Sequence, residues 1–514
     1  MGTKEEKLAK KQIKKGITEE TKAEKEVEKK CKISDELIKA YALKNAVEHE
    51  GKAVMGSIMS GLFAEGLKRE EARDIVVRVG MILNDVNKLC LEEQKMQLAS
   101  FEKKKLISHR DVRDTSEMPE LEDVDKKTGV IMRFSPSSSA SAFHIGHILT
   151  GMPSCLYVKK YGGKFYLRIE DTNPEKTVPE CYKFFPKEAE WIFGNVTEWY
   201  AQSDRMKKYY DFAEELIKKG LVFVCTCKKE EDEEESEIPK IREVCECRNN
   251  LLKDNQEKWK KMLSKTKDSF KEGEAVLRFK SADTKASNPA LIDFPLARIN
   301  ETKHPRQGNK YRVWPLMNLC VTYDDMEQKC THIIRAKEHQ DNAKRQEMIF
   351  DSLKVKKPHT YFLGRYKFED MPISKTQITE LIKKGKFSGW DDIRLPLARN
   401  FKRRGYQPEA FAKMASQRGL SNVDKVIAKE DLFQVLDNFN REVIKDKAIQ
   451  ASWEEAKEKT KANIEILMPD ATTIRGNSDI NPKKLKEGSI VYFRGLGYAC
   501  YNPKEKVKFW FGHK

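Results

Sequence analysis

A change of sequence pattern near Gly129 constrains the fold more than any other feature of this chain. Val130–Phe134 is a short apolar run around one arginine, which predicts a buried strand of a parallel sheet. A loop of serine, alanine and proline follows, a helix is expected to open near His144, and Phe165–Ile169 predicts a second strand. The two strands and the helix between them have the length of one βαβ unit, which predicts an α/β core.

The 514 residues allow several domains around this core, at about 100–200 residues each. Residues 1–32 mix lysine and glutamate with few apolar residues, which indicates a disordered or solvated extension. Ser34 is a good N-cap for a first helix, and a second helical stretch is expected from about residue 70 to 102. Its apolar residues fall on one helical face: Ile75, Val76, Val79, Ile82, Leu83 and Val86.

The later pattern divides the chain into further segments. We expect helices in 33–125, an α/β domain in 126–222 and 310–365, an irregular insertion in 223–309, helices in 366–445 and short strands in 446–514. The fold class predicted is therefore multidomain α/β.

The chain carries a formal net charge of +17, which points to a polyanionic partner such as nucleic acid or a membrane surface. The extension 1–32 holds 11 lysines against 7 glutamates and nearly balances its own charge, so the excess lies mostly in the folded part. The sequence lacks an apolar run of about 18 residues that could span a bilayer, and it lacks a secretory segment. These features predict a cytoplasmic protein without a membrane partner. The 11 scattered cysteines favour reduced thiols or a metal site over disulfides.

His144-Ile145-Gly146-His147 stands where the first strand passes into a helix. A helix N-terminus offers unpaired N–H groups that suit a phosphate, and a glycine lets a ligand approach the backbone. The two imidazoles can donate hydrogen bonds to oxygens that gain charge during phosphoryl transfer. Two capping histidines, or half of a metal site, are the alternatives that this motif alone leaves open.

Ile373-Ser374-Lys375-Thr376 suggests a second phosphate-binding element, because a lysine on a loop can neutralise departing pyrophosphate. The tetrapeptide is too short to indicate a phosphate site alone, and it is significant only because the histidine motif occurs in the same chain.

Four clustered cysteines form two Cys-x-Cys pairs separated by a charged loop: Cys225, Cys227, Cys245 and Cys247. Two such pairs suit a tetrahedral structural zinc. Four reduced thiols, left from a site that has lost its metal, are the alternative.

These blocks together resemble the glutamyl-tRNA synthetases of the archaeal and eukaryotic branch. The histidine motif matches the first class I signature, and residues 373–376 resemble the second. Further blocks agree in order and spacing: YALKNA at 41–46, LRIEDTNP at 167–174, THIIRAKEH at 331–339 and GWDDIRLP at 389–396. The resemblance implies a class I Rossmann catalytic core, an inserted acceptor-binding domain, an N-terminal helical domain and a C-terminal β-barrel.

The resemblance also implies a reaction, in which glutamate and ATP, with Mg²⁺, form an adenylate that passes its glutamyl group to tRNA(Glu). His144, His147 and Lys375 would be catalytic, and the ATP site would add Gly146, Glu338 and Ser374. The glutamate site would consist of Arg133, Ser137, Glu170 and Arg335. Arg133 is otherwise a buried charge in an apolar strand, which is costly unless it is paired. A cation at Arg335 favours a carboxylate over an amide, whereas related glutaminyl enzymes usually carry a cysteine there.

Three departures from the family pattern stand out. The loop before His144 has one residue more than usual and lacks its glycine, Met317 replaces a common tyrosine, and Pro372 replaces the first lysine of the second signature. The altered loop leaves open a catalytically silent tRNA-binding protein. A glutaminyl-tRNA synthetase, against which Arg335 counts, is the other rival interpretation.

The family pattern places the tRNA acceptor end in the insertion 223–309 and the anticodon near the C-terminal strands. The inner bend of tRNA is expected at Trp390, Asp391, Arg394 and Arg403, where basic residues would bind phosphates. Trp390 would stack on a base or simply pack. The charged N-terminal region is a candidate site for other synthetases or further protein partners.

Overall fold

The computed structural model describes residues 33–48, 51–64, 67, 71–103, 118–227, 245–284, 286–456 and 462–514. The predicted extension 1–32 lies outside the described residues. The chain divides into two compact units, Met1–Asp114 and Thr115–Lys514. Within the described part, every helix is too short or too polar to cross a membrane.

The first unit is helical, as its sequence predicts. Its helices are α1 (Asp35–Glu48), α2 (Met55–Ala64), α3 (Ala72–Lys88) and α4 (Leu91–Lys103). Ser34 caps α1, because its Oγ accepts a hydrogen bond from the Leu37 N–H at 3.2 Å. The single long helix expected over 70–102 is divided into α3 and α4. Ile75, Val79 and Val86 of α3 are buried as expected.

The second unit contains the remaining elements. Its strands are β1 (Val130–Phe134), β2 (Gly163–Ile169), β3 (Glu198–Ala201), β4 (Val222–Cys225), β5 (Val276–Phe279), β6 (Pro295–Ile299), β7 (Val313–Pro315), β8 (His332–Ala336), β9 (His359–Leu363), β10 (Tyr366–Phe368), β11 (Lys425–Ile427), β12 (Ile449–Ala451), β13 (Glu454–Glu455), β14 (Ile464–Leu467), β15 (Thr473–Asn477), β16 (Ile490–Phe493), β17 (Gly497–Tyr501) and β18 (Phe509–His513). Its α-helices are α5 (Ile145–Tyr161), α6 (Glu180–Phe193), α7 (Met206–Lys218), α8 (Leu252–Leu263), α9 (Met317–Glu327), α10 (Gln340–Leu353), α11 (Lys375–Lys383), α12 (Ala398–Arg403), α13 (Pro408–Arg418) and α14 (Lys429–Ile444).

A parallel sheet forms the centre of this unit. β1 pairs with β2 and β2 with β3, all parallel, and β8 pairs with β9 in the same sense. The Thr331 N–H donates to the Ile131 carbonyl at 2.9 Å and so places β8 beside β1. The pair β9-β8 therefore continues the layer of β1, β2 and β3, joined to it by hydrogen bonds near the start of β1 rather than by a continuous ladder. The carboxyl ends of β1, β2 and β8, where the predicted site residues stand, face the same edge.

The chain between this sheet's two halves forms an antiparallel sheet. Strands β4, β5, β6 and β7 pair in sequence order, and Trp259 of α8 is buried against them. This sheet runs from Val222 to Pro315 and so extends slightly beyond the insertion expected at 223–309.

The C-terminal strands form one sheet, in the order β12-β16-β17-β18-β14-β15-β13. The two end strands do not pair with each other among the described residues, so the sheet is open. The closed β-barrel expected for 446–514 is therefore not confirmed. Buried aromatic side chains such as Phe493 and Phe509 fill one face of this sheet.

Helix α5 packs closely on the central sheet because residue 151 is a glycine. A Cβ at Gly151 would lie 2.6 Å from Cζ of Phe193 and 3.1 Å from Cδ2 of Phe134. We predict that Gly151→Ala destabilises the second unit by about 1–3 kcal/mol, measured as a lower midpoint of thermal unfolding.

Gly80→Ala is the matched control, because a Cβ there would meet only the terminal methyl of Met55, at 3.5 Å. This helical substitution should stabilise α3 by up to about 1 kcal/mol. A Gly151→Ala variant as stable as the unmodified chain would contradict the close packing.

Candidate active site

His144 and His147 stand at the N-terminus of α5 with their rings stacked. His144 is the N-cap: its Nδ1 accepts from the Gly146 N–H at 3.0 Å. Its own N–H donates to Nδ1 of His147 at 3.4 Å, and the ring centroids are 3.9 Å apart. Because both Nδ1 atoms accept, each neutral ring carries its proton on Nε2. Both rings can therefore donate from Nε2 to a ligand.

Burial keeps both rings uncharged. It lowers the pKa of His144 to about 4. Burial and the neighbouring His144 also lower the pKa of His147 well below its usual value. At neutral pH the pair thus offers hydrogen bonds from uncharged imidazoles, next to the positive end of a helix.

The unusual loop before His144 is held from two sides. The Ser138 N–H donates to the Glu170 carbonyl at 3.0 Å, which attaches the loop to the end of β2. The Phe143 N–H donates to Oε2 of Glu188 at 2.6 Å, and Glu188 pairs with Arg399 at 2.9 Å. Burial raises the pKa of Glu188 to about 7. The extra residue and the missing glycine are therefore accommodated by specific contacts.

A cavity of about 510 Å³ opens at the carboxyl edge of the central sheet, and we call it the central cavity. Eight of the predicted site residues line it: Arg133, Ser137, His144, Gly146, His147, Glu170, Arg335 and Glu338. Met317, one of the three departures from the family pattern, also lines it. The structure thus brings the predicted glutamate residues and the histidine motif into one space.

Arg133 has a carboxylate partner within the chain. Its Nε and Nη2 donate to the two carboxylate oxygens of Asp325 at 3.1 and 3.3 Å. Arg168 donates to the same carboxylate at 2.7 Å, and the two arginines lower the pKa of the buried Asp325 to about 2. Because Asp325 occupies the Nε–Nη2 edge of Arg133, a substrate can reach only its other N–H groups, two on Nη1 and one on Nη2.

Arg335 lacks such a partner. Its Nη1 donates to the amide oxygen of Gln346 at 2.9 Å, and its buried Nε has no hydrogen-bond partner. No carboxylate of the described residues forms an ion pair with it. Burial, and then the charge of Arg133, lower the pKa of Arg335 to about 10. It is thus a buried, still protonated cation that faces the central cavity: the charges of Asp325 and Glu170 act on it, but no carboxylate of the described residues lies within ion-pair distance.

Comparison with known proteins identifies the family. The model of the class I tRNA synthetases (E and Q), catalytic domain, matches residues 129–446, more than half of the chain. A glutamate–tRNA ligase of Methanobrevibacter smithii is 38% identical over 79% of this chain and 71% of that protein. One of Thermoplasma acidophilum is 36% identical over 92% of this chain and 84% of that protein. The chain belongs to this family.

The solved structure of a glutamate tRNA ligase from Elizabethkingia meningosepticum, in complex with its amino acid, aligns with a TM-score of 0.43 and 19% identity. The alignment covers 62% of this chain and 70% of that one.

The second signature of this family lies beside the central cavity. Ile373 lines the cavity, whereas Ser374 and Lys375 are outside its lining. Ser374 caps α11 by accepting from the Gln377 N–H at 3.2 Å, and Lys375 is the first residue of that helix. The lysine expected on a loop therefore begins a helix, and its role toward ATP stays a prediction.

The residues expected to contact tRNA are engaged within the chain. Trp390 is partly buried and packs against a small apolar cluster that contains Ile378 and Leu397. Nε and Nη2 of Arg394 donate hydrogen bonds to the carboxylate of Asp392, at 2.8 and 2.7 Å.

Arg403 donates to Asp391 at 2.8 Å, and the Asp391 side chain is otherwise largely exposed. Phosphate binding by Arg394 or Arg403 would thus compete with an internal carboxylate.

The four predicted zinc ligands lie together. Their Sγ atoms are all within 4.8 Å of one another. The shortest separations are 3.0 Å between Cys227 and Cys245 and 3.5 Å between Cys225 and Cys245. Four thiolates around one zinc, at about 2.3 Å each, would be about 3.8 Å apart, so the donor set fits this metal.

Sequence reasoning missed several residues of this site, among them Asp325, Gln346 and Glu188. Two adjacent acids in the otherwise apolar stretch 319–326 were a signal for Asp325, since a buried carboxylate requires a partner. Gln346 and Glu188 lie on ordinary amphipathic helices and give no such signal.

The neutral state of the histidine pair can be measured directly. We predict that ¹³C-labelled histidine resonances of His144 and His147 show no titration between pH 5.5 and 8, because burial lowers both pKa values. The matched variant His144→Asn assigns the His144 signal and preserves a good N-cap. A titration midpoint between pH 6 and 7 for either ring would contradict this account.

Proposed function

We propose that this chain ligates L-glutamate to tRNA(Glu) at the expense of ATP, through a glutamyl-adenylate. The observation that carries the proposal is the unpaired buried charge of Arg335 in the same cavity as the histidine motif. A buried cation without a counter-ion is costly, and a substrate carboxylate relieves that cost. The printed names of the relatives, glutamate–tRNA ligases, support the same reaction.

ATP would lie at the N-terminus of α5. Its phosphates would accept hydrogen bonds from Nε2 of His144 and His147 and approach the backbone at Gly146. Lys375 and Ser374 would reach the phosphates from α11, with Mg²⁺ bound to ATP. Loss of one such donor to the transition state typically costs about 3–4 kcal/mol.

Glu338 is the other predicted ATP residue. It lines the central cavity and forms an ion pair with Arg365, which also lines it. Such a pair can bind a ribose hydroxyl or change partners when ATP enters, so Glu338 is proposed as a contact of the nucleotide.

Glutamate would lie deeper in the cavity. Its side-chain carboxylate would pair with Arg335 and receive a second hydrogen bond from the free Nη1 of Arg133. Glu170 would accept from the α-ammonium, with Ser137 beside it. The attacking and leaving groups of adenylate formation need positioning and charge stabilisation rather than a protein nucleophile.

The acceptor end of tRNA would enter through a second cavity. This space of about 270 Å³ shares Ser137, Glu170 and Met317 with the central cavity. Arg298 and Trp314, from the antiparallel sheet, line its other side. A terminal adenosine bound there would bring its hydroxyl to the activated carboxyl group.

The rest of tRNA would follow basic residues of the second unit. We assign its inner bend to the segment around Trp390, Asp391, Arg394 and Arg403, with exchange of the internal ion pairs for phosphate contacts. The open C-terminal sheet, residues 446–514, is the proposed contact for the anticodon.

Cys225, Cys227, Cys245 and Cys247 are the proposed ligands of a structural zinc in the insertion. The metal would fix the end of β4 to the segment that begins at Cys245. It would hold the insertion in shape and take no part in the reaction.

Exchange of labelled pyrophosphate into ATP tests the proposed reaction. In the presence of tRNA, we expect glutamate to support exchange, with kcat/KM for glutamate at least about 100-fold above that for glutamine, because only a carboxylate neutralises Arg335. Preference for glutamine would select a glutaminyl enzyme. The absence of exchange with both amino acids would indicate a silent tRNA-binding protein.

Metal analysis of the purified protein tests the zinc site. We predict about one zinc ion per chain, and loss of that zinc with a lower thermal midpoint in Cys245→Ser. Cys90→Ser is the control, since Cys90 is an exposed cysteine outside the cluster. A zinc-free native protein with an unchanged midpoint in Cys245→Ser would contradict the assignment.

A further inference from the structure

Among the described residues, the buried guanidinium of Arg335 forms one hydrogen bond, and its partner is Gln346. Its side chain lies on α10, is 4% exposed, and accepts from Nη1 of Arg335 at 2.9 Å. A hydrogen bond to an amide oxygen fixes the orientation of a guanidinium group but does not neutralise its positive charge. The nearby Arg133 and Arg168 instead share the carboxylate of Asp325.

A relay of three amides fixes the orientation of Gln346. Its Nε2 donates to Oδ1 of Asn318 at 3.3 Å, and Asn318 donates to Oδ1 of Asn342 at 3.3 Å. Arg345 donates to the same Asn342 oxygen at 3.0 Å. Arginine can only donate, so the guanidinium groups at the two ends determine the direction of every amide between them. The oxygen of Gln346 must therefore face Arg335.

We propose that Gln346 is a specificity-determining positioning residue, which aims Arg335 at the substrate and leaves its charge for the substrate's carboxylate. This inference rests on the proposed function. The amides of the relay are uncharged, so a glutamate substrate supplies the carboxylate that pairs with Arg335. A glutamine substrate leaves a buried charge unpaired, which disfavours it.

A carboxylate at position 346 shows whether Gln346 matters for specificity because it is uncharged, or only because it holds the side chain of Arg335 in place. Gln346→Glu places a negative charge where the amide oxygen now meets Arg335, so the substrate is no longer needed as a counter-ion. We expect the KM for glutamate to rise about 10- to 100-fold, and the ratio of kcat/KM for glutamate over glutamine to fall by at least about 10-fold.

Gln346→Met provides the second variant. It has a similar length but no acceptor, so Arg335 loses its anchor and keeps its charge. The KM for glutamate should rise about 3- to 30-fold, while the preference for glutamate over glutamine falls by less than about 3-fold. Gln340→Glu is the control, because it adds the same charge at an exposed position of the same helix. It should match the unmodified chain in both quantities.

All four proteins are compared by pyrophosphate exchange with glutamate, glutamine and tRNA, with the KM for ATP as a check on the rest of the site. An unchanged glutamate-to-glutamine ratio in Gln346→Glu, or equal losses of preference in both variants, would overturn the inference. If Gln346→Glu does not fold, an unchanged KM for glutamate in Gln346→Met overturns it. No glutamate-dependent exchange by the unmodified chain would refute the proposed function itself and this inference with it.

Discussion

An imbalance of buried charge at the end of two neighbouring strands underlies the proposed specificity. Arg133 lies in β1 and Arg335 lies in β8, and both are buried beside one cavity. The carboxylate of Asp325 accepts hydrogen bonds from both Arg133 and Arg168. Among the described residues, Arg335 donates only to the amide oxygen of Gln346. The free energy of that unpaired guanidinium is lowered when a carboxylate enters, which is a reason for this site to prefer an acid over its amide.

The phosphate side of the cavity follows from the same parallel sheet. Its topology places the end of β1 and the N-terminus of α5 at one edge, so an amino acid and a nucleotide can meet there. The Ile145 N–H donates to the Pro396 carbonyl at 3.0 Å, and Arg399 supports Glu188 under the same loop. The helix that carries the histidines is therefore attached to the segment proposed to contact tRNA.

Local sequence was sufficient to predict the helices and strands that carry the site. It was insufficient to predict which distant side chains form ion pairs there. The strand Val130–Phe134 was predicted at its exact bounds, and the Ser34 cap is confirmed, because both depend on neighbouring residues. The partner of Arg133 is Asp325, 192 residues away, and chain pattern alone does not reveal which distant carboxylate a buried arginine meets. The open C-terminal sheet differs from the expected barrel for a related reason, since closure depends on pairing between its two end strands.

A crystal structure with a non-hydrolysable glutamyl-adenylate analogue would show how the cavity is occupied. We expect the side-chain carboxylate of the analogue to lie within hydrogen-bond distance of Arg335, with the adenylate phosphate next to Nε2 of His144 and His147. A side-chain carboxylate that pairs elsewhere, with Arg335 still bound only to Gln346, would contradict this expectation.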